Sequence, residues 1–224
     1  MTTTDAGLGF GDVITSVEGL REIYREPHKL AANKAVDHLD PGCRDFIALS
    51  TMVLVGTADP DGRQDVSPRG GPAGFVRVLD DHRLAIPDLN GNNRLDSLQN
   101  VVATGEIALL FLIPGLGETL RANGEACITT DPAVLDQFTD QLRRPASAIG
   151  VRVREAYIHC AKSLRRAGLW APDTWPGAAE RPSPARILLR HTGGEGKVTA
   201  EQVEAGLEDA YVRDLAADRP DSPS

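Results

Sequence analysis

The sequence predicts an α+β fold in which N-terminal helices precede a β-rich core. Helix-start signals fill the first fifty residues, short apolar segments joined by Gly- and Pro-containing turns fill the middle, and an amphipathic segment lies near the C-terminal end. Because most of the strands are joined by hairpin turns, an antiparallel sheet or small barrel is favoured over repeated strand–helix–strand units.

Three segments near the N-terminus begin with residues that favour a helix start. Such residues supply acceptors to free backbone N–H groups or preset the first turn. The predicted helices, with their start signals in parentheses, are residues 17–24 (Thr15 and Glu18), 28–37 (Pro27) and 43–49 (Asp40 and Pro41).

Strand patterns dominate the middle of the chain. Residues 59–62, DPDG, have the Pro and Gly positions of a tight turn between two strands. Val151 and Val153 alternate with Arg152 and Arg154, as in a strand with one solvated face. The predicted strands are residues 52–58, 63–67, 74–79, 83–87, 106–113, 118–129 and 150–160, from which we expect a barrel of about six strands.

Further helices are predicted between and after these strands. They cover residues 93–102, 131–142, 161–167 and 199–215, the last with a capping box of Thr199 and Gln202. The sequence predicts one domain, with a helical segment at 1–50, a barrel core at 51–170 and an extended arm plus helix at 171–224, frayed from residue 216.

Composition excludes several functional classes. The 224 residues include 24 Lys and Arg against 32 Asp and Glu, and the net charge of −8 disfavours binding to nucleic acid. The longest apolar run, residues 107–113, is far shorter than the ~20 residues of a membrane helix. The N-terminus lacks the pattern of a secretory signal, so a cytoplasmic location is expected, with no membrane partner.

The cysteines and histidines show no metal-ligand spacing. Cys43, Cys127 and Cys160 are far apart, and the five histidines form no HxH or HxxxH pair. Neither a disulfide framework nor a metal centre is expected.

The segment DLNGNNRLDSL carries the clearest ligand signal. A strand ends at Pro87, a loop rich in Asn and Gly follows, and a helix is predicted to begin near Asn93. A helix N-terminus presents free N–H groups and partial positive charge, so Arg94 in the first turn would be unfavourable unless an anion were bound there. The alternative is that Arg94 reaches solvent or pairs with Asp88, while Asn92 or Asn93 caps the helix.

Two other segments could bind an anion. Ser67 and Arg69 flank a proline at a strand end, and their hydroxyl and guanidinium could hold a second edge of the same anion; an ordinary strand exit is the alternative. In HCAKSLRR, His159 and Cys160 would point to opposite faces of a strand, which disfavours a Cys–His nucleophile. Cys160 is therefore predicted to be buried, and Lys162 could face an anion or only solvent.

Three blocks of the chain together resemble the pyridoxamine 5′-phosphate oxidase-related, FMN-binding split-barrel family, and its uncharacterised bacterial branch most of all. They are GTADPDGRQDVSPRGG, GFVRVLDDHRLAIPDLNGNNRLDSLQN and IALLFLIPGLGETLRANGEACIT, within a likeness that runs from about Thr51 to Trp170. The resemblance implies a six-stranded antiparallel Greek-key barrel, a homodimer and FMN at the dimer interface.

The resemblance also implies cofactor-binding residues. The family's phosphate-binding strand corresponds to Ser67, Pro68 and Arg69, and its contact to the isoalloxazine ring to Ile86 and Pro87. Its basic phosphate clamp corresponds to Asn93 and Arg94, with Asn92 beside them. A ring contact that is often glutamine corresponds to Thr119, a shorter side chain, followed by Arg121. The substrate-side candidates are His159, Lys162 and Trp170.

The function implied is that of an FMN-dependent oxidoreductase that transfers hydride between the flavin and an unidentified small molecule or nicotinamide, NADH or NADPH. No catalytic acid or base is predicted, although His159 is the best candidate. Oxidation of vitamin B6 is not expected, because the Arg-containing C-terminal strand of the true oxidases is replaced by a Pro-rich arm and an acidic helix. The alternatives are a non-catalytic FMN-binding, storage or sensor protein, and an enzyme of the same fold that uses deazaflavin or haem.

Overall fold

The computed structural model describes residues 9–91 and 93–221. The chain divides into two compact units, residues 1–35 and 36–224. The first unit contains helices α1 (Val17–Ile23) and α2 (Lys29–Ala32), and none of its described residues is buried. The N-cap of α1 is Ser16, whose hydroxyl accepts a hydrogen bond from the Gly19 N–H at 3.1 Å, and not Thr15 as predicted. The predicted helix at 28–37 is too long, since α2 ends at Ala32.

The second unit is built on one antiparallel sheet in the order β2–β1–β5–β6–β7–β4–β3. Its strands are β1 (Met52–Ala58), β2 (Gln64–Gly70), β3 (Arg77–Val78), β4 (Arg83–Pro87), β5 (Glu106–Leu112), β6 (Thr119–Thr129) and β7 (Ala148–His159). The α+β class is confirmed. Among the residues that the structure describes, the sheet has seven strands where about six were expected, and the predicted strand at 74–79 is shortened to the two-residue β3.

Helices surround this sheet. They are α3 (Pro41–Leu49), α4 (Asp96–Thr104), α5 (Pro132–Leu135), α6 (Lys162–Arg166), α7 (Pro184–Thr192) and α8 (Ala200–Ala217). Among the residues that the structure describes, no helix combines the length and apolar character needed to cross a membrane.

Local capping accounts for most of these helix bounds. Asp40 caps α3, and the predicted Thr199 and Gln202 capping box of α8 is present. The predicted helix at 131–142 stops early, because α5 ends at Leu135 and continues as a 3₁₀ turn, Asp136–Phe138. The region predicted as an extended arm contains α7, which Ser183 caps and the sequence analysis missed.

The sheet curls so that its two edges approach each other. Arg69 lies near the end of the edge strand β2, and Asp88 follows β4 on the opposite side of the sheet. Arg69 Nη1 and Asp88 Oδ1 are nevertheless only 3.3 Å apart. Core side chains such as Val53, Ile86 and Phe111 are fully buried, as expected for residues enclosed by a curled sheet. The ends of β2 and β4 therefore meet at one place.

Candidate functional site

A cavity of about 330 Å³ lies where the end of β2 meets the loop after β4, and we call it the β2–β4 cavity. This volume is at the lower end of the range of small-molecule sites. The residues that form it include Ser67, Pro68, Arg69, Phe75, Pro87 and Asn90. Four residues that the resemblance assigns to cofactor binding are therefore brought together.

One wall of this cavity depends on a glycine. A Cβ on Gly71, directly after β2, would lie 2.6 Å from Cγ of Phe75. Only a residue without a side chain allows the Phe75 ring to pack so closely against the backbone. The aromatic ring is thereby held at the edge of the cavity.

Arg69 is the cationic group of the β2–β4 cavity. Its Nη1 faces Asp88, but its Nε is buried and has no hydrogen-bond partner among the described residues. A buried N–H without a partner costs free energy, so such a group indicates a ligand or an ordered water. The donor is suited to an anionic oxygen.

The two residues predicted to contact a flavin ring differ in exposure to the cavity. Pro87 borders the cavity, whereas Ile86 is fully buried among the core side chains and lies outside the cavity lining. Adjacent residues of a strand point to opposite faces. Ile86 therefore supports the fold beneath the site.

The prediction that a helix begins near Asn93, with Arg94 in its first turn, is wrong. Helix α4 begins at Asp96, and its N-cap is Leu95, which has φ +62° and makes no side-chain capping bond. Arg94 is exposed and its Nε lies 2.8 Å from Asp96 Oδ2, while Asp88 pairs with Arg69 instead. The Asp96 carboxylate raises the pKa of Arg94. This pairing gives Arg94 a partner without any bound anion, and its contact with a ligand stays a prediction.

The neighbouring asparagines are less informative. Asn92 lies outside the described residues. Asn93 does not cap α4; it adopts φ +55° and borders a second cavity. That cavity, of about 660 Å³, lies between the loop 88–91, residues 143–146 and the end of α8, and we call it the α8 cavity.

Sequence reasoning missed the basic residues of the α8 cavity. Arg143 and Arg144 border it together with Arg213 of α8. Arg144 is paired with Asp136, and Arg213 with Asp214. The signal that could have drawn attention to this segment is its sequence RRP, at residues 143–145 in the connection before β7.

The remaining predicted residues of the sheet lie on its outer face, on β6 and β7. Thr119 is buried and is the register partner of His159. Arg121 donates a hydrogen bond from Nη1 to the Tyr157 hydroxyl at 2.8 Å, and the Tyr157 and His159 rings are 5.0 Å apart between centroids. Tyr157 is a member of this polar cluster that the sequence analysis did not single out.

One register row connects this cluster to the β2–β4 cavity across five strands. It runs from Pro68 through Leu54, Leu110 and Arg121 to Tyr157. Beside this row Val66 is 68% exposed. The half of the outer face on β1, β2 and β5, which we call the outer apolar face, therefore leaves apolar side chains uncovered.

The residues after β7 are placed elsewhere. Lys162 is exposed at the start of α6. The Trp170 indole Nε1 donates a hydrogen bond to the Leu116 carbonyl at 2.8 Å, so this side chain is held against the β5–β6 connection. Cys160 is exposed, contrary to the prediction that it is buried, because β7 ends at His159.

The curled antiparallel sheet, with a cavity where its edges meet, places the molecule among split-barrel proteins. The chain belongs to the pyridoxamine 5′-phosphate oxidase family, whose sequence profile matches residues 39–160. The resemblance noted in the sequence is thereby confirmed. No curated protein matches the chain significantly.

Several solved structures are similar to about half of this chain at low sequence identity. HupZ from Group A Streptococcus is 20% identical, with 52% of this chain and 90% of that chain covered and a TM-score of 0.43. A protein from Clostridium acetobutylicum that is related to general stress protein 26 is 15% identical, with 51% of this chain and 83% of that chain covered and a TM-score of 0.38. HutZ, a heme storage protein from Vibrio cholerae, is 13% identical (54% and 93% covered, TM-score 0.37). Family membership rests on the profile match, not on these three structures.

Proposed function

We propose that this protein is an FMN-dependent oxidoreductase that transfers hydride between the flavin and a small molecule or a nicotinamide. The observation that carries the proposal is the buried Arg69 Nε, which lacks a partner in the β2–β4 cavity. The same cavity gathers Ser67, Pro68 and Pro87, which the family resemblance assigns to FMN.

The chemical character of the cavity fits a flavin phosphate and part of its ring system. Arg69 would hold the phosphate through its guanidinium, with Ser67 as a neutral donor beside it. Phe75 and Pro87 offer apolar surface to an aromatic ring. The contact between Arg69 Nη1 and Asp88 holds one end of the guanidinium, so a ligand would meet a donor that is partly oriented in advance.

Hydride chemistry would be supplied by the flavin and requires no acid or base from the protein. Among the described residues that border the β2–β4 cavity, none is His, Cys, Lys, Asp or Glu. This chain would therefore bind and orient the cofactor and shield it from water. His159, on the outer face, remains a substrate-side candidate.

The proposed active form is a homodimer in which a second copy covers the outer apolar face. Pro68 belongs both to this face and to the cavity lining, so a partner seated there would reach the cofactor. The partner would bring a second set of the residues corresponding to Thr119, Arg121 and His159 to the site. Burial of Val66 and its neighbours would drive the association.

The absorbance spectrum of the protein as isolated tests the proposal. We expect flavin bands, with FMN released on denaturation. Under anaerobic conditions NADH or NADPH should bleach these bands, and an added electron acceptor should restore them repeatedly.

Four other results would contradict the proposal. A flavin that no nicotinamide reduces would favour a storage or sensor protein. A Soret band would favour haem, and the spectrum of a deazaflavin would favour that cofactor. A colourless protein that fails to bind added FMN at micromolar concentration would exclude the flavin site.

A further inference from the structure

The C-terminal end of α8 is joined to the loop that separates the two cavities. Both the β2–β4 cavity and the α8 cavity are bordered by Asn90 and Gly91. Asp218, the C-cap residue of α8, accepts hydrogen bonds at Oδ1 from the Asn90 backbone N–H at 3.3 Å and from Asn90 Nδ2 at 2.8 Å. One carboxylate oxygen therefore binds the loop twice.

Asp218 also binds a second segment. Its carbonyl accepts a hydrogen bond from the Arg143 N–H at 2.8 Å. The loop and this segment are themselves joined, because the Asp88 N–H donates to the Ser147 carbonyl at 3.0 Å. Three segments distant in sequence thus meet at Asp218, whereas α8 lies outside the stretch that matches the family profile.

The contact is partly withdrawn from water. Asp218 is half-buried, and this burial raises the pKa of its carboxyl group. Burying a carboxylate at a helix C-terminus is unfavourable unless it is hydrogen-bonded, and the two Asn90 donors meet that requirement. The prediction that the chain is frayed from residue 216 is therefore wrong for Asp218.

We propose that Asp218 is a positioning residue for the cofactor loop 88–91, which the end of α8 holds in place between the two cavities. While the contact is made, Asp88 stays beside Arg69 and the β2–β4 cavity keeps its shape. When α8 lifts, the loop is released and the α8 cavity loses one wall. The inference rests on the proposed flavin site only for its effect on cofactor affinity.

Hydrogen exchange of the loop amides in the apo-protein tests the contact directly. Replacement of Asp218 by Ala should speed exchange in residues 88–91 by about tenfold, with little change in the sheet. Asp218→Asn, which keeps an oxygen acceptor, should restore slow exchange. Asp214→Ala is the matched control, because Asp214 borders the α8 cavity but pairs with Arg213.

A second set of variants, in which the charged and amide residues are exchanged, tests the same contact if Asp218→Ala fails to fold. Asn90→Asp should loosen the loop by placing two carboxylates together, and the double variant Asn90→Asp/Asp218→Asn should restore an amide–carboxylate pair with the roles exchanged. Unchanged loop exchange in Asp218→Ala and Asn90→Asp, or equal loosening by Asp214→Ala, would overturn the proposal.

Cofactor affinity provides the second readout. FMN should bind about fivefold more weakly to Asp218→Ala than to the wild type and normally to Asp218→Asn. Equal affinity in Asp218→Ala despite faster loop exchange would contradict the positioning role. If the wild type binds no flavin, the proposed function fails, whereas the exchange measurements still decide whether Asp218 holds the loop.

Discussion

Two arginines near the β2–β4 cavity differ in a way that only the folded chain reveals. Arg69 is mostly buried and keeps a free Nε, whereas Arg94 is exposed and paired with Asp96. A charge-assisted hydrogen bond to a partly desolvated phosphate contributes about 1.5–3 kcal/mol. Arg69, and not Arg94, is therefore the expected anchor of the flavin phosphate.

A matched pair of substitutions tests this assignment. Arg69→Gln should weaken FMN binding by about tenfold to hundredfold while affecting riboflavin, which lacks the phosphate, much less. Arg94→Gln should change either affinity by less than about twofold, because an exposed ion pair contributes little. Fluorescence titration of both flavins measures the four ratios. A larger loss from Arg94→Gln than from Arg69→Gln would reverse the assignment.

The cysteines should differ in reactivity. Burial raises the pKa of the Cys43 thiol to about 11, whereas Cys127 and Cys160 are exposed. At pH 8 only about one Cys43 thiol in a thousand would be ionised, and the thiolate is the reactive form. Iodoacetamide should label Cys127 and Cys160 first and Cys43 only in denaturant. Labelling of native Cys43 as fast as Cys127 would contradict its burial.

The start of α4 contains a strained residue. Leu95 occupies the left-handed region at φ +62°, which costs a residue with a Cβ roughly 1 kcal/mol or more. Asparagine tolerates this region better, so Leu95→Asn should raise the free energy of unfolding by about 0.5–1 kcal/mol. The control is Leu188→Asn, because Leu188 lies in a regular helix and is 44% exposed, against 43% for Leu95. Asparagine is a poorer helix former than leucine, so this substitution should lower the free energy of unfolding. Denaturant unfolding checks both, and a loss of stability in Leu95→Asn would show that the leucine is needed there.

Elements with local signals were predictable, and those that depend on distant contacts were not. The start of α3 follows from Asp40 and Pro41, whose effects act within one turn. The start of α4 was misplaced because Asn92 and Asn93 resemble capping residues, whereas the chain delays the helix to Asp96 through a left-handed Leu95. Element boundaries of this kind depend on how the loop packs.

The candidate site likewise combines residues that have a local sequence signal with contacts that have none. The importance of Ser67 and Arg69 could be proposed from a strand that ends in proline and glycine. The pairing of Arg69 with Asp88 could not be predicted from the sequence, because this contact exists only when the two sides of the sheet meet. The contact of Asp218 with Asn90 spans 128 residues and likewise has no local signal.

At the scale of the whole molecule, the outer apolar face is expected to bury itself in a dimer. Val66→Glu should shift the protein toward the 23.9 kDa monomer, because it places a charge on the outer apolar face where a partner would bury it. Val102→Glu is the control, since Val102 is 75% exposed on α4. Light scattering distinguishes the two species. A wild type that is monomeric at micromolar concentration and still binds FMN would contradict the dimeric site.

The central claim is that the β2–β4 cavity holds the phosphate of a flavin through Arg69. A crystal structure of the protein with FMN measures this most directly. We expect phosphate density within about 3 Å of Arg69 Nε, beside Ser67 and Pro87, with a second copy of the chain covering the outer apolar face. Flavin bound elsewhere, with Arg69 Nε still without a ligand, would contradict the claim.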